Sequence, residues 1–285
     1  MGTSTSSAGP GGGVSLDPPW LDALEGDIAS GGSAAPDGAD GDDNGEAIDP
    51  AGGTVAPPVQ ISVPRRFANA RRSLGIFARS GDRDALRRAL GEYSRTGMRG
   101  SAQAANRMRV SASAGAALVS MLNGARSGTD PAAAQWLQGL LDQNLSSNDV
   151  ASAIIERLGL PGGTVDEESI KDSMAQAMSE LILQNEEVNL LQMDAADTWT
   201  LLQLYLGNEL CNRLIFDIGQ LFERDGIPPG LAIAREQEMR AFLKSEVGEQ
   251  LRELRQTNPN PTSIQLRNIA NEAFRLTFET FEGYL

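Results

Sequence analysis

From about residue 65 onward, apolar side chains recur at three- and four-residue intervals, the repeat of a helix that buries one face. The pattern opens at Arg65-Arg66-Phe67, where Phe67, Leu74, Ile76 and Phe77 stand among arginines. A second helix fits Asp82 to Ser94, with Asp82 in its first turn and Leu86, Leu90 and Tyr93 on one stripe. Gly97 and Gly100 then mark a turn, after which Ser101 is placed to cap a helix running to about Asn123. That helix is rich in small residues (Ala102, Ala104, Ala105, Ala112, Ala114, Ala116), which permits a close crossing.

The second half reads as helix after helix. Asp130-Pro131 is a start signal for a stripe of Trp136, Leu137, Leu140 and Leu141. Ser147 or Asn148 begins the next helix, with Val150, Ile154, Ile155 and Leu158 inside and Gly159 closing it. Thr164 and Glu167 have capping-box spacing, so Asp166, Glu167 and Glu168 read as first-turn acids rather than metal ligands. Two long helices are expected over Asn189–Arg224 and Gly230–Gln256, separated by Asp225-Gly226-Ile227-Pro228-Pro229. The first is apolar over more than one face, from Leu190 to Phe216, as the central helix of a bundle must be. A last helix starts at Thr262 or Ser263 and carries Leu266, Ile269, Phe274, Leu276, Phe278 and Phe281. Alternating strand patterns of useful length are missing, so the fold expected is all-α: a multi-helix bundle preceded by a long disordered Gly/Ser/Asp-rich N-terminal arm.

Before residue 65 the pattern vanishes. Residues 1–13 are nearly all Gly, Ser, Thr, Ala and Pro, too little apolar surface to offset the entropy of ordering. Pro18, Pro19, Trp20 and Leu21 follow, a stiff backbone carrying one large apolar contact, as in short docking motifs. The expected division is a flexible arm at 1–21, an acidic linker at 22–64, an Arg-rich helical segment at 65–127 and a helical bundle at 128–285.

Charge sharpens this division. The chain of 285 residues has net charge −14, yet residues 65–109 hold twelve arginines against Asp82, Asp84 and Glu92. Two readings of these arginines stay open: a solvated face docking onto the protein's own acids, or a site for phosphate, nucleic acid or an acidic partner. Arg65, Arg66, Arg71 and Arg72 can form one patch, and Arg95, Arg99, Arg107 and Arg109 flank the glycine turn that opens a helix. Phe67, Phe77 and Tyr93 fit core positions, which argues against sequence-specific reading of nucleic acid and leaves other nucleic-acid contact open.

Catalytic chemistry finds little to work with. The sequence has no histidine, which removes the commonest general base and the usual zinc ligand. The single cysteine, Cys211, lies in an apolar run and reads as a buried thiol in a reduced, cytoplasmic setting. Neither a signal peptide nor a membrane span is expected, and the acidic stretch Asp37 to Glu46 lacks the ligand spacing of a calcium loop. Met1-Gly2 with Ser6 matches a myristoylation pattern, but the acidic segment that follows argues against a membrane anchor. The residues thus describe a non-enzymatic helical protein needing neither cofactor nor metal. Its one chemically specific feature is Gly2: with Met1 removed, the glycine α-amine has an ordinary pKa of about 7.7 to 8.0, so an appreciable fraction is a neutral nucleophile at physiological pH.

Met1-Gly2-Thr3-Ser4, the run Gly9-Pro10-Gly11-Gly12-Gly13-Val14, Pro18-Pro19-Trp20, and later Leu86-Arg87-Arg88-Ala89-Leu90-Gly91-Glu92-Tyr93 with Arg95-Thr96-Gly97 resemble the QatB family of Qat-type bacterial anti-phage defence systems. The similarity is sharp over residues 1–21 and over about 65–115, and beyond that it is one of helical character. The resemblance implies three partners: an ATPase, a TatD-like nuclease and a QueC-like enzyme of deazaguanine chemistry, which would join a nucleobase to the N-terminal glycine. On that reading Gly2 is the acceptor, Thr3 and Ser4 make polar contacts in the partner's channel, and Pro18, Pro19, Trp20 and Leu21 hold the complex. The eighteen residue steps from Gly2 to Trp20, at about 3.3 to 3.6 Å each when extended, suffice to thread a deep pocket. The alternative is an unmodified adaptor that bridges defence partners through its Arg-rich segment.

Overall fold

The computed structural model describes residues 65–143, 145–160, 163–185, 188–222, 226–258 and 261–285. Among them are ten α-helices and no strand: α1 (Ala68–Ser80), α2 (Arg83–Glu92), α3 (Ser101–Arg107), α4 (Arg109–Ser127), α5 (Pro131–Leu141), α6 (Ser147–Arg157), α7 (Val165–Gln184), α8 (Ala195–Ile218), α9 (Pro229–Thr257) and α10 (Ser263–Glu282). A short 3₁₀ turn, Arg65–Phe67, precedes α1, and a π-helical turn, Tyr93–Gly97, follows α2.

Helix starts are fixed by side chains that accept from otherwise unpaired first-turn amides. Asp82 caps α2 through Asp84 N–H, Asp130 caps α5 through Ala133 N–H, Ser146 caps α6 and Asp194 caps α8. Thr164 with Glu167, and Thr262 with Gln265, form reciprocal capping boxes at α7 and α10.

Three expectations change. Ser101 does not cap the third helix; Gly100 precedes it without a side-chain cap, and the helix breaks at Met108, where ψ is 3° and the amide bonds back to Ala105 O. The helix expected over Asn189–Arg224 is shorter at both ends, starting at the Asp194 cap and giving way after Ile218 to a 3₁₀ turn. Ile76 and Phe216, read as core residues, are 40% and 52% exposed.

One continuous core runs from Phe67 to Phe281, so the helices on either side of residue 128 share it. Helix α8 is its axis, lying against α4, α7 and α9, while α10 packs on α2, α3, α4 and α9. Burial of Trp199, Leu201, Leu202, Leu204, Tyr205 and Leu206 in succession shows that α8 is covered on every side over its middle, as its apolar sequence predicts.

Small residues set the closest helix contacts. A Cβ on Gly207 would lie 2.7 Å from Lys244 Cα, so α8 and α9 cross with backbones nearly touching. A Cβ on Gly115 would meet the Tyr205 ring at 2.6 Å, which lets α4 approach α8. Gly139 of α5, in contrast, faces open space. Gly207→Val should therefore force α8 and α9 apart and lower stability by about 3 kcal/mol, while Gly139→Ala should raise it by up to about 1 kcal/mol through helix propensity. Urea unfolding followed by circular dichroism checks both; equal stabilities for the two variants would refute the close-crossing account.

Candidate functional site

Three charged residues interrupt the apolar sequence of α8 at four-residue intervals: Glu209, Arg213 and Asp217. That spacing puts them on one stripe of the helix, and the fold turns the stripe inward.

Glu209 is fully buried. Its Oε1 accepts from Ser111 of α4 (2.8 Å) and from Nε of Arg213 (2.8 Å), while Oε2 accepts from Ser169 (2.9 Å) and Ser173 (2.8 Å) of α7. Burial nevertheless raises its pKa to about 7, outweighing the three serine hydroxyls that favour the anion. Arg213 reaches on to the carboxylate of Asp166 and to its backbone oxygen (3.2 Å). Burial lowers the Arg213 pKa to about 10, which still leaves it charged at neutral pH. One turn away, the buried Tyr205 donates to Ser111 O at 2.8 Å.

Asp217 is a second hub. Arg107 of α3 binds its carboxylate through both Nε (3.1 Å) and a terminal nitrogen (2.7 Å), and the Tyr93 hydroxyl donates to it at 2.7 Å. Arg71 of α1 donates to Asp217 O at 3.0 Å. Burial holds the Tyr93 hydroxyl well above its ordinary value, as does the neighbouring Asp217 charge, so it remains a neutral donor. A third set spans α7, α8 and α9: Lys244 pairs with Glu180 at 2.6 Å, and Arg240 donates to Gln176, Asn212 and Asn208.

These groups bind one another rather than face an opening. Cys211 is buried, its thiol pushed up to about 12 by burial, so it supplies no thiolate. Among the described residues no cluster of three or more His, Cys, Asp or Glu side chains can hold a metal, and no helix is long and apolar enough to cross a membrane. A cavity of about 320 Å³ lies between α4, α5 and residues 190–193; among the described residues, Arg126 is the one charged group in its wall.

The site residues expected from sequence fall into distinct places. Gly2, Thr3, Ser4, Pro18, Pro19, Trp20 and Leu21 lie outside the described residues, as does the side chain of Arg65. Arg71 and Arg107 are brought together on Asp217 inside the fold. The Arg66 guanidinium lies 4.7 Å above the Phe67 ring, and Arg72, Arg95, Arg99 and Arg109 are exposed. Sequence reasoning passed over Glu209, Arg213 and Asp217; the signal available was a charge every fourth residue in the second half of a leucine-rich helix.

Comparison with known proteins adds what this geometry does not. A profile of the family described as Qat anti-phage system associated protein QatB matches residues 99–281. The chain belongs to the QatB family. The match starts inside the arginine stretch and runs through α10, so it covers the Glu209 network and Asp217 with Arg107, while residues 1–98, with Arg71 and Tyr93, stand outside it. Neither a curated protein nor a solved structure matches the chain.

Two consequences of the buried networks can be measured. Asp217→Ala removes the buried carboxylate that the Arg107 guanidinium and the Tyr93 hydroxyl both bind, and should cost about 3 to 5 kcal/mol in urea unfolding. Glu209 binds a proton more tightly in the folded chain than at its ordinary value of 4.5, so its stabilising contribution is complete below that value and is lost as pH rises through about 7. Glu209→Gln lacks this dependence. Between pH 4.5 and the far side of the folded transition, the wild-type stability should fall relative to the variant by about 3 kcal/mol; parallel stability–pH curves would show that Glu209 titrates normally.

Proposed function

We propose that this chain, as a QatB-family component of an anti-phage defence system, is a protein substrate rather than a catalyst, its Gly2 amine being acylated by a QueC-like partner that carries a deazaguanine. The observation that carries this reading is the sequence Met1-Gly2-Thr3-Ser4 followed by a run without bulky side chains up to Gly13 and then by Pro18-Pro19-Trp20. Such a tip can enter a narrow active site while Trp20 and Leu21 dock outside it. The helical body supports the same reading from the other side: its buried acids, arginines and tyrosines are engaged with each other, and its cysteine is protonated and enclosed.

The step balances simply. The neutral Gly2 nitrogen attacks the carboxyl carbon of an ATP-activated deazaguanine carboxylate. A C–N amide bond forms, the bond from that carbon to its activating phosphate breaks, and the amine releases a proton to solvent or to a base of the partner. Glycine suits this attack because nothing stands beside the nitrogen. Thr3 and Ser4 supply short polar contacts, and the ATPase and TatD-like nuclease act as further partners in the same system.

The test is intact and N-terminal peptide mass of the chain expressed with and without an active QueC-like partner and ATP. A deazaguanine acyl increment on Gly2 is expected only with the active partner, and Gly2→Val should abolish it. A des-methionine mass in both samples, with the partner shown to be active, would overturn the proposal, and a lipid-sized increment on Gly2 would do the same.

A further inference from the structure

The sequence holds two lysines, Lys171 and Lys244, against twenty-two arginines. Guanidinium groups stay protonated and do not attack acyl donors, so the amines able to form an amide are these two and the amino terminus. Both lysine amines are engaged with carboxylates of α7: Lys244 with Glu180 at 2.6 Å and Lys171 with Glu168 at 3.1 Å. We propose that Glu168 and Glu180 are guard residues, which withdraw the two lysines from acylation and leave the Gly2 amine as the acceptor that an activated acyl group meets.

Lys244 is withdrawn the more completely. A Cβ on Gly207 would lie 2.7 Å from its Cα, so the base of the side chain lies against α8. The side chain is 18% exposed, and the ammonium ends on Glu180 Oε2, while the other carboxylate oxygen accepts from Asn208 Nδ2 at 3.2 Å. Glu180 is thereby held from two helices, α8 and α9. An ammonium on a carboxylate has no lone pair with which to attack, and the low exposure leaves little room for an incoming carbonyl. Lys171 is held more loosely, since its side chain is 30% exposed and that of Glu168 64%, and an exposed pair of this kind is weak. Glu167 stands at i−4 on the same helix, so the lysine has carboxylates one turn back at both i−3 and i−4.

The two kinds of cation differ in what they offer an acyl donor. Arginine carries positive charge without presenting a nucleophile, whereas a free lysine amine competes with the amino terminus for every activated carboxylate it meets. An amide made on Lys244 would also remove its charge and leave the Glu180 carboxylate, itself 26% exposed, without its cation. This inference rests on the acylation at Gly2 proposed above, and adds that the choice of amine is made in part by the substrate chain itself.

Limiting N-hydroxysuccinimidyl acetate, which transfers an acetyl group to an amine and releases N-hydroxysuccinimide, tests this on the full chain alone at neutral pH. Peptide mass spectrometry reads each amine in the folded chain and in concentrated urea. Folding should lower acetylation about tenfold at Lys244 and about threefold at Lys171, and leave the amino-terminal glycine unchanged. Glu180→Gln should raise Lys244 acetylation in the folded chain about fivefold without altering Lys171, and Glu168→Gln should raise Lys171 about twofold without altering Lys244. Circular dichroism should show both variants folded, because an amide oxygen at position 180 still accepts from Asn208 and the Thr164–Glu167 capping box does not use Glu168. Equal lysine acetylation in the folded and unfolded chains, or folded glutamine variants whose lysines stay as protected as before, would overturn the proposal, since burial alone would then be the cause. Without a partner enzyme in the experiment, these outcomes are distinct from a missing deazaguanine increment on Gly2, which refutes the acylation reading and leaves the protection of the lysines as measured.

Discussion

The structure turns on a carboxylate with nowhere to go. Glu209 sits at the centre of α8 with no exposed surface, and the groups that accept it come from three directions: Ser111 on α4, Ser169 and Ser173 on α7, and Arg213 on α8 itself. A buried charge without partners costs several kcal/mol, so any packing that slid α4 or α7 by one turn would strand it. Apolar contacts alone tolerate such slippage, because leucine and alanine faces fit one another in many registers. The polar stripe of α8 therefore fixes how the helices around it are set, although the stabilisation itself comes from the core that encloses it.

The same stripe ties the arginine-rich N-terminal helices to the rest. Asp217, two turns beyond Glu209, draws Arg107 from α3, Arg71 from α1 and Tyr93 from the π-helical turn to the end of α8. Part of the basic stretch is thereby consumed internally, and the remaining cations are sorted to the outside. This sorting separates two groups that a linear count of charge merges: arginines that hold the fold, and arginines exposed on its surface.

The helical body and the amino-terminal sequence differ in composition. The body presents internal networks of charged and polar side chains and a thiol that burial holds protonated. The amino-terminal sequence has small residues up to Gly13, then Pro18-Pro19-Trp20, and no core-forming pattern. A family match over residues 99–281 then supplies the biological setting, anti-phage defence.

Periodicity and local capping were decided by the sequence. The three-and-four spacing of leucines, the Asp130-Pro131 start, the Thr164–Glu167 box and the all-round apolar character of α8 depend on neighbours within one or two turns, and such interactions can be read along the chain. Element ends at Met108 and Asp194, and the exposure of Ile76 and Phe216, required the tertiary arrangement, because a helix pattern says which side chains share a face but not whether another helix covers it. The fate of the arginines was hidden for the same reason. Arg107 and Asp217 are 110 residues apart in the chain and 2.7 Å apart in space, and Coulomb attraction acts on the second distance.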